Sequence, residues 1–183
     1  MSENKVFQLT FIIFIIIIVV LFRTTNCESK FRKTPIWPCP YNDRLSNLYI
    51  DKPDDKFTSL SLFDIYSFTH ISHGMILFVI LNYIFKEKKI SMLFITLGWG
   101  ILWEIIENTD YVLNKYRKNN ILQRDYFGDS LINSIGDIFS AFVGFVIAWN
   151  FPDYAIPMVC ASEILLYIKM KDNLLTNTIQ VFV

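Results

Sequence analysis

Two imidazoles and a group of acids carry the chemistry open to this chain. His70 and His73 are the chain's two histidines, three residues apart, and Tyr66 precedes His70 by four. Glu104 is followed by Glu107 and Asn108 at three and four residues, and Asp129, Asn133 and Asp137 succeed one another at intervals of four. In a helix such spacings place each set on one face, so three helices would each carry one polar stripe. If the stripes turn inward, imidazole nitrogen and carboxylate oxygen share one pocket. That donor mixture suits a divalent metal ion such as zinc, iron or manganese. The expected ligands are His70, His73 and Asp129, with Glu104, Glu107 and Asp137 around the ion as the groups that move protons. Asn108 and Asn133 are expected to contact a substrate, and Arg117 or Arg124 to attract an anionic headgroup.

Each of these residues also has a plainer use. A histidine near a helix end can bond a backbone carbonyl, and Glu104 and Glu107 could sit in headgroup water where their helix ends. Asp137, about two turns into an apolar run, has the weakest explanation of that kind.

The elements that must position these groups are membrane spans. The 183 residues are 53% apolar and 16% aromatic, with a mean hydropathy of +0.37, too much hydrophobic surface for an ordinary soluble domain. Lys and Arg number 17, as do Asp and Glu, so no positive field exists to draw in a nucleic acid. Crossing a hydrocarbon layer of about 30 Å takes roughly 17 to 25 mainly apolar residues as helix. Five stretches qualify: Val6–Phe22, Ile65–Phe85, Ile90–Ile106, Leu131–Phe151 and Tyr154–Met170. Backbone groups in lipid need partners within their own segment, so the fold expected is all-α, a polytopic bundle of about five transmembrane helices. The first stretch is read as a retained span, with a removable signal as the other option. Residues 1–22 then form an N-terminal helix, 23–64 an extramembrane connection, 65–177 a four-helix membrane domain and 178–183 a tail.

Short connections at 86–89 and 152–153 make the second and third spans one antiparallel hairpin, and the fourth and fifth another. The polar stripes then all fall near the membrane face that holds the 23–64 connection, while the far half of the bundle is apolar. That face also holds 13 of the 17 Lys and Arg residues, which makes it cytoplasmic by the positive-inside tendency. Trp99, Trp103, Trp149 and Tyr154 are expected as interface anchors. Gly136, Ser140 and Gly144 form a ladder of small residues that lets another helix approach, within the bundle or in a homodimer. Cys27, Cys39 and Cys160 include no C-x-x-C pair, and no phosphate loop, nucleophile elbow or H-E-x-x-H occurs.

Four blocks resemble the signature of an uncharacterised family of small bacterial membrane proteins, domain of unknown function 2585 (UPF0314 type). They are Asp64-Ile-Tyr-Ser-Phe-Thr-His-Ile-Ser-His-Gly74, Trp103-Glu-Ile-Ile-Glu-Asn-Thr109 with Tyr116-Arg117, Asp125-Tyr-Phe-Gly-Asp-Ser-Leu-Ile-Asn-Ser-Ile-Gly-Asp137, and Lys171-Asp-Asn-Leu-Leu-Thr-Asn177. The resemblance implies a multi-span helical protein of a bacterial inner membrane and no particular reaction. The chain departs from the family at Trp37-Pro-Cys39, where a C-x-C is usual, and at Lys171, where an Arg is usual. Two functions remain in view. One is a metal-dependent enzyme acting on a lipid or lipid-linked substrate in an inner, plasma or organelle membrane. The other is an accessory or assembly subunit whose buried polar groups hold it against membrane-protein partners.

Overall fold

The computed structural model describes residues 48–182, apart from 56, 57, 85, 87, 88, 125 and 127. The expected first span at 6–22, Cys27, Cys39 and most of the 23–64 connection lie outside the described residues. Within them the chain forms α1 (Ser67–Ile84), α2 (Lys89–Glu107), α3 (Asp110–Asn119), α4 (Leu131–Asn150), α5 (Ala155–Met170) and α6 (Leu174–Phe182). Two-residue strands β1 (Tyr49–Ile50) and β2 (Phe63–Asp64) pair in parallel, Tyr49 opposite Phe63 and Ile50 opposite Asp64.

The helices α1, α2 and α4, of 18, 19 and 20 residues, are long and apolar enough to cross a membrane. They coincide with three of the expected spans. The stretch expected as the fifth span forms α5, which has 16 residues, a length of about 24 Å at 1.5 Å per residue. Among the described residues three helices therefore meet the requirement, where the sequence pointed to four. α3 and α6 did not register as spans because both are short and amphipathic. The start of α3 is written in the chain: Thr109 caps it by accepting from the Val112 N–H at 3.5 Å, with Asp110 in its first turn and Arg117 and Lys118 in its last. α6 continues through the 178–182 stretch read as tail.

Glycine decides how α1 and α4 meet. A Cβ on Gly74 of α1 would stand 1.9 Å from the Ala141 carbonyl oxygen on α4, and one on Gly144 of α4 would stand 2.0 Å from the Ile71 carbonyl oxygen on α1. The two helices thus notch each other reciprocally, backbone against backbone, the contact that small residues permit between spans. Around the notch Met75, Phe78 and Leu81 of α1 pack with Met92 of α2 and with Phe145 and Ala148 of α4. The Phe78 and Phe145 rings meet edge to face at 5.3 Å. The small-residue ladder is used inside the chain: a Cβ on Gly136 would meet the Leu62 carbonyl oxygen, and Ser140 is buried.

A polar knot ties the segment before α1 to the start of α4. Asp64, 1% exposed, accepts from the Ser59 N–H at 2.7 Å, the Tyr66 N–H at 2.8 Å and the Asn133 amide at 3.3 Å. Asn133 also donates to the Ser61 carbonyl at 3.0 Å, and Ser130, the cap of α4, donates its N–H to the Ser59 carbonyl at 2.7 Å. Burial pushes the Asp64 carboxyl up and these donors pull it back down. Asp64→Ala strands three donors, each costing about 1 to 3 kcal/mol when buried without a partner. We expect the detergent-solubilised variant to melt well below the wild type; coincident melting curves would contradict the knot's role.

A second knot joins α6 to α3. Asp172, fully buried, accepts from Asn120 at 2.6 Å, Thr176 at 2.6 Å and its neighbour's N–H at 3.0 Å. The fourth block of the family signature, Lys171 to Asn177, is thereby a docking device for the last helix.

Candidate metal centre

The polar ends of α1, α2 and α4 converge. His70 and Glu104 are buried, at 8% and 6% exposure, and Glu107 is half-buried at the end of α2. One ligand atom from each of these three lies within 4.8 Å of the other two. His70 Nδ1 stands 3.7 Å from Glu104 Oε1, and His70 Nε2 stands 3.8 Å from Asp137 Oδ2. Both separations exceed a hydrogen bond. Glu104 Oε2 is buried with no hydrogen-bond partner.

Groups gathered but not bonded to one another are what an ion links. A metal holds nitrogen and carboxylate oxygen at about 2.0 to 2.2 Å, so two ligand atoms on one ion stand at most about 4.4 Å apart. The 3.7 Å gap between His70 and Glu104 fits, and the triad as a whole needs to close by a few tenths of an ångström. If Nδ1 takes the ion, Asp137 faces the remaining Nε2–H, the arrangement that sets tautomer and ring orientation in metal-bound histidines. Asp137 is itself held by Ser67, whose hydroxyl donates to Oδ1 at 2.8 Å. Ser67 was not singled out in the sequence, although it lies one helical turn before His70.

The remaining candidates are engaged by other partners. His73 Nε2 accepts from Trp99 Nε1 at 2.7 Å, and its ring meets that of Trp103 edge to face at 5.9 Å. Three residues on a helix turn a side chain by about 60° relative to its partner, and here that rotation carries His73 away from the acids and toward two indoles. Trp99 and Trp103, expected as interface anchors, flank His73. Asp129 pairs with Asn108: its N–H donates to Asn108 Oδ1 at 2.7 Å, and its carboxylate accepts from Asn108 at 3.1 Å and from the Tyr126 hydroxyl at 2.6 Å. Gly128, at φ +100°, allows this pairing, since a Cβ there would stand 2.7 Å from Asn108 Oδ1. Asn108 and Asn133 thus both serve packing contacts. Arg117 is half-buried and donates to Asn114 at 2.8 Å, while Arg124 is exposed.

Burial, and after it the charge of Asp64, push the Asp129 carboxyl up to about 6 against hydrogen bonds from Tyr126, Ser59 and Asn108. The folded chain then holds this proton more tightly than an unfolded aspartate with a pKa of about 3.9. Its contribution to stability is greatest below about pH 4, declines as pH rises to about 6 and is level above that. Asp129→Asn is expected to flatten this part of a profile of melting temperature against pH. An unchanged slope would count against the assignment.

Comparison with known proteins gives a consistent picture. The chain is similar to UPF0314 proteins of Brucella anthropi, with 33% identity over 63% of this chain and 60% of the relative, and of Sphingopyxis alaskensis, with 30% identity over 80% and 77%. A third, from Rhizobium johnstonii, is 29% identical over 91% of this chain and 84% of its own length. The match thus spans less than two thirds of the Brucella protein. No solved structure matches the chain. The profile of one family, described as a protein of unknown function (DUF2585), covers residues 33–183 and takes in every helix described above. The chain therefore belongs to the DUF2585 family.

Proposed function

We propose that the protein is a membrane-embedded, divalent-metal-dependent enzyme acting on a lipid or lipid-linked substrate, with the ion held by His70, Glu104 and Glu107. The observation that carries this reading is the triad, with His70 and Glu104 buried and Glu107 half-buried, whose ligand atoms lie within 4.8 Å of one another while one Glu104 oxygen has no partner. Three protein ligands leave positions open for water or substrate, as catalytic sites require. An ion held there would supply polarisation of the substrate oxygen or activation of water, and Glu107, the least buried of the three, would be the group to pass a proton toward solvent. Exposed Ile156, Ile164, Leu165 and Ile168 make the outer side of α5 apolar, which suits contact with lipid and supports α5 as a further, short span. The site then opens on the face rich in Lys and Arg, cytoplasmic by the positive-inside tendency.

The accessory-subunit reading draws on a different observation: Asp64, Asn133, Asn108, Asp129 and Asp172 all have partners within the chain, so much of the buried polarity holds helices together. Metal content separates the two. Purified in detergent, stripped with a chelator and reloaded with Zn2+, Mn2+ or Fe2+, the chain is expected to retain about one ion after desalting. Its melting temperature should rise on reloading, by an amount corresponding to about 2.7 kcal/mol at a free-ion concentration 100 times the dissociation constant. A folded preparation that retains none of the three ions and melts unchanged would overturn the enzyme reading.

A further inference from the structure

A carboxylate faces each ring nitrogen of His70, and the two are held differently. Asp137 Oδ2 stands 3.8 Å from Nε2, and the other oxygen of Asp137 takes the Ser67 hydroxyl at 2.8 Å. Glu104 Oε1 stands 3.7 Å from Nδ1, and the other oxygen of Glu104 has no partner. Ser67 opens α1 and is buried. Its Oγ also accepts from the Asp64 N–H at 3.1 Å. A hydroxyl has one proton to give, so with a backbone N–H directed at the oxygen that proton goes to Asp137. Asp64 is pinned in turn by the N–H groups of Ser59 and Tyr66 and by Asn133. One serine thus joins the polar knot before α1 to the candidate metal centre, and it leaves Asp137 Oδ2 to face the imidazole.

His73 supplies the contrast on the same helix. Its Nε2 accepts from the Trp99 indole N–H at 2.7 Å, so a neutral His73 carries its ring proton on Nδ1. At His70 the acceptor facing Nε2 is an anchored carboxylate, which favours the proton on Nε2. An ion held by Glu104 and Glu107 reaches His70 through the nitrogen that faces Glu104. Resting on the metal reading above, we propose that Ser67 is a positioning residue: by holding Asp137 toward Nε2–H it commits His70 to ligate through Nδ1. The two histidines of α1 then carry their protons on opposite ring nitrogens. A carboxylate behind a ligating imidazole fixes its tautomer and orientation and makes it a more basic ligand. Ser67 never touches the ion and acts through Asp137 alone.

The test uses the full chain in detergent with 15N-labelled histidine, whose two rings are told apart with His73→Ala, and 113Cd as the spin-active stand-in for zinc. A one-bond 15N–113Cd coupling is expected on His70 Nδ1, with a proton on His70 Nε2; coupling on Nε2 would overturn the inference. In the metal-free chain the ring proton should sit on Nε2 of His70 and on Nδ1 of His73. Ser67→Ala should let the His70 proton redistribute between its nitrogens, leave His73 unmoved and weaken metal binding about tenfold, the lower end of the range for losing an outer-sphere partner. Ser67→Thr, which keeps the hydroxyl, should restore both the affinity and the proton position. If Ser67→Ala changes neither, Ser67 has no positioning role and the metal reading stands. Should the Ser67 variants fail to fold, the wild-type coupling and the two wild-type tautomers decide the matter alone. A wild type that takes up no ion removes the earlier reading, while the metal-free tautomers still test this one, so the two failures are distinct.

Discussion

Gly144→Ala is expected to leave little folded protein. The new methyl carbon would lie 2.0 Å from the Ile71 carbonyl oxygen and 2.8 Å from the carbon that bears it. Those atoms are backbone, so no side-chain rotation relieves the clash, and α1 and α4 must separate along their whole contact. Overpacking commonly costs about 1 to 3 kcal/mol where side chains can shift; with backbone on both sides the cost lies at or above the top of that range. Gly74→Ala should behave alike, since its methyl would stand 1.9 Å from the Ala141 oxygen. Gly98 is the control. A Cβ there meets nothing within 4 Å, so Gly98→Ala is expected to be neutral or to stabilise α2 by about 0.5 to 1 kcal/mol. Size-exclusion profiles and melting curves in detergent measure all three. A Gly144→Ala variant as monodisperse and heat-stable as Gly98→Ala would refute the close helix crossing.

The second large effect separates the two histidines. His70→Ala is expected to lower metal affinity by more than about 100-fold, beyond the 10- to 100-fold typical of losing an outer-sphere partner. Asp137→Asn, which alters the group facing the other imidazole nitrogen, belongs within that 10- to 100-fold range. His73→Ala should leave affinity within about twofold, because its Nε2 is engaged by Trp99 and an outer-sphere effect needs contact with a ligand. Equilibrium dialysis against a metal buffer reads all three constants. The opposite ranking, with His73 essential and His70 dispensable, would mean that α1 is rotated from the orientation described.

Much of the architecture was legible along the chain. Apolar run length located α1, α2 and α4, and the alternation of passes brought His70, Glu104 and Asp137 to one end, as the 3.7 and 3.8 Å contacts require. The short helices were harder. α3 has its cap and its charged ends on display, but its ten mixed residues contain no long apolar run. α6 has a weaker signal still, because it is anchored by Asp172 and Asn120, 52 residues apart in sequence. The candidate site was legible in outline only. Asp129 and Asn133 sit at the same four-residue spacing as Asp137, yet Asp129 closes a pair with Asn108 and Asn133 closes one with Asp64. Spacing alone gave those three residues equal claims on an ion.

The division has a simple physical origin. Hydrophobic length and helical period act within one segment, so the chain's own order of residues specified the long apolar helices and the end of each at which its polar groups lie. How far each helix is rotated about its axis is settled between segments, by the backbone notches at Gly74 and Gly144 and by the bonds that Asp64 and Asn108 make across the fold. Those contacts turn His70 to the acids and His73 to the indoles, a choice that residues three apart on one helix cannot make for themselves.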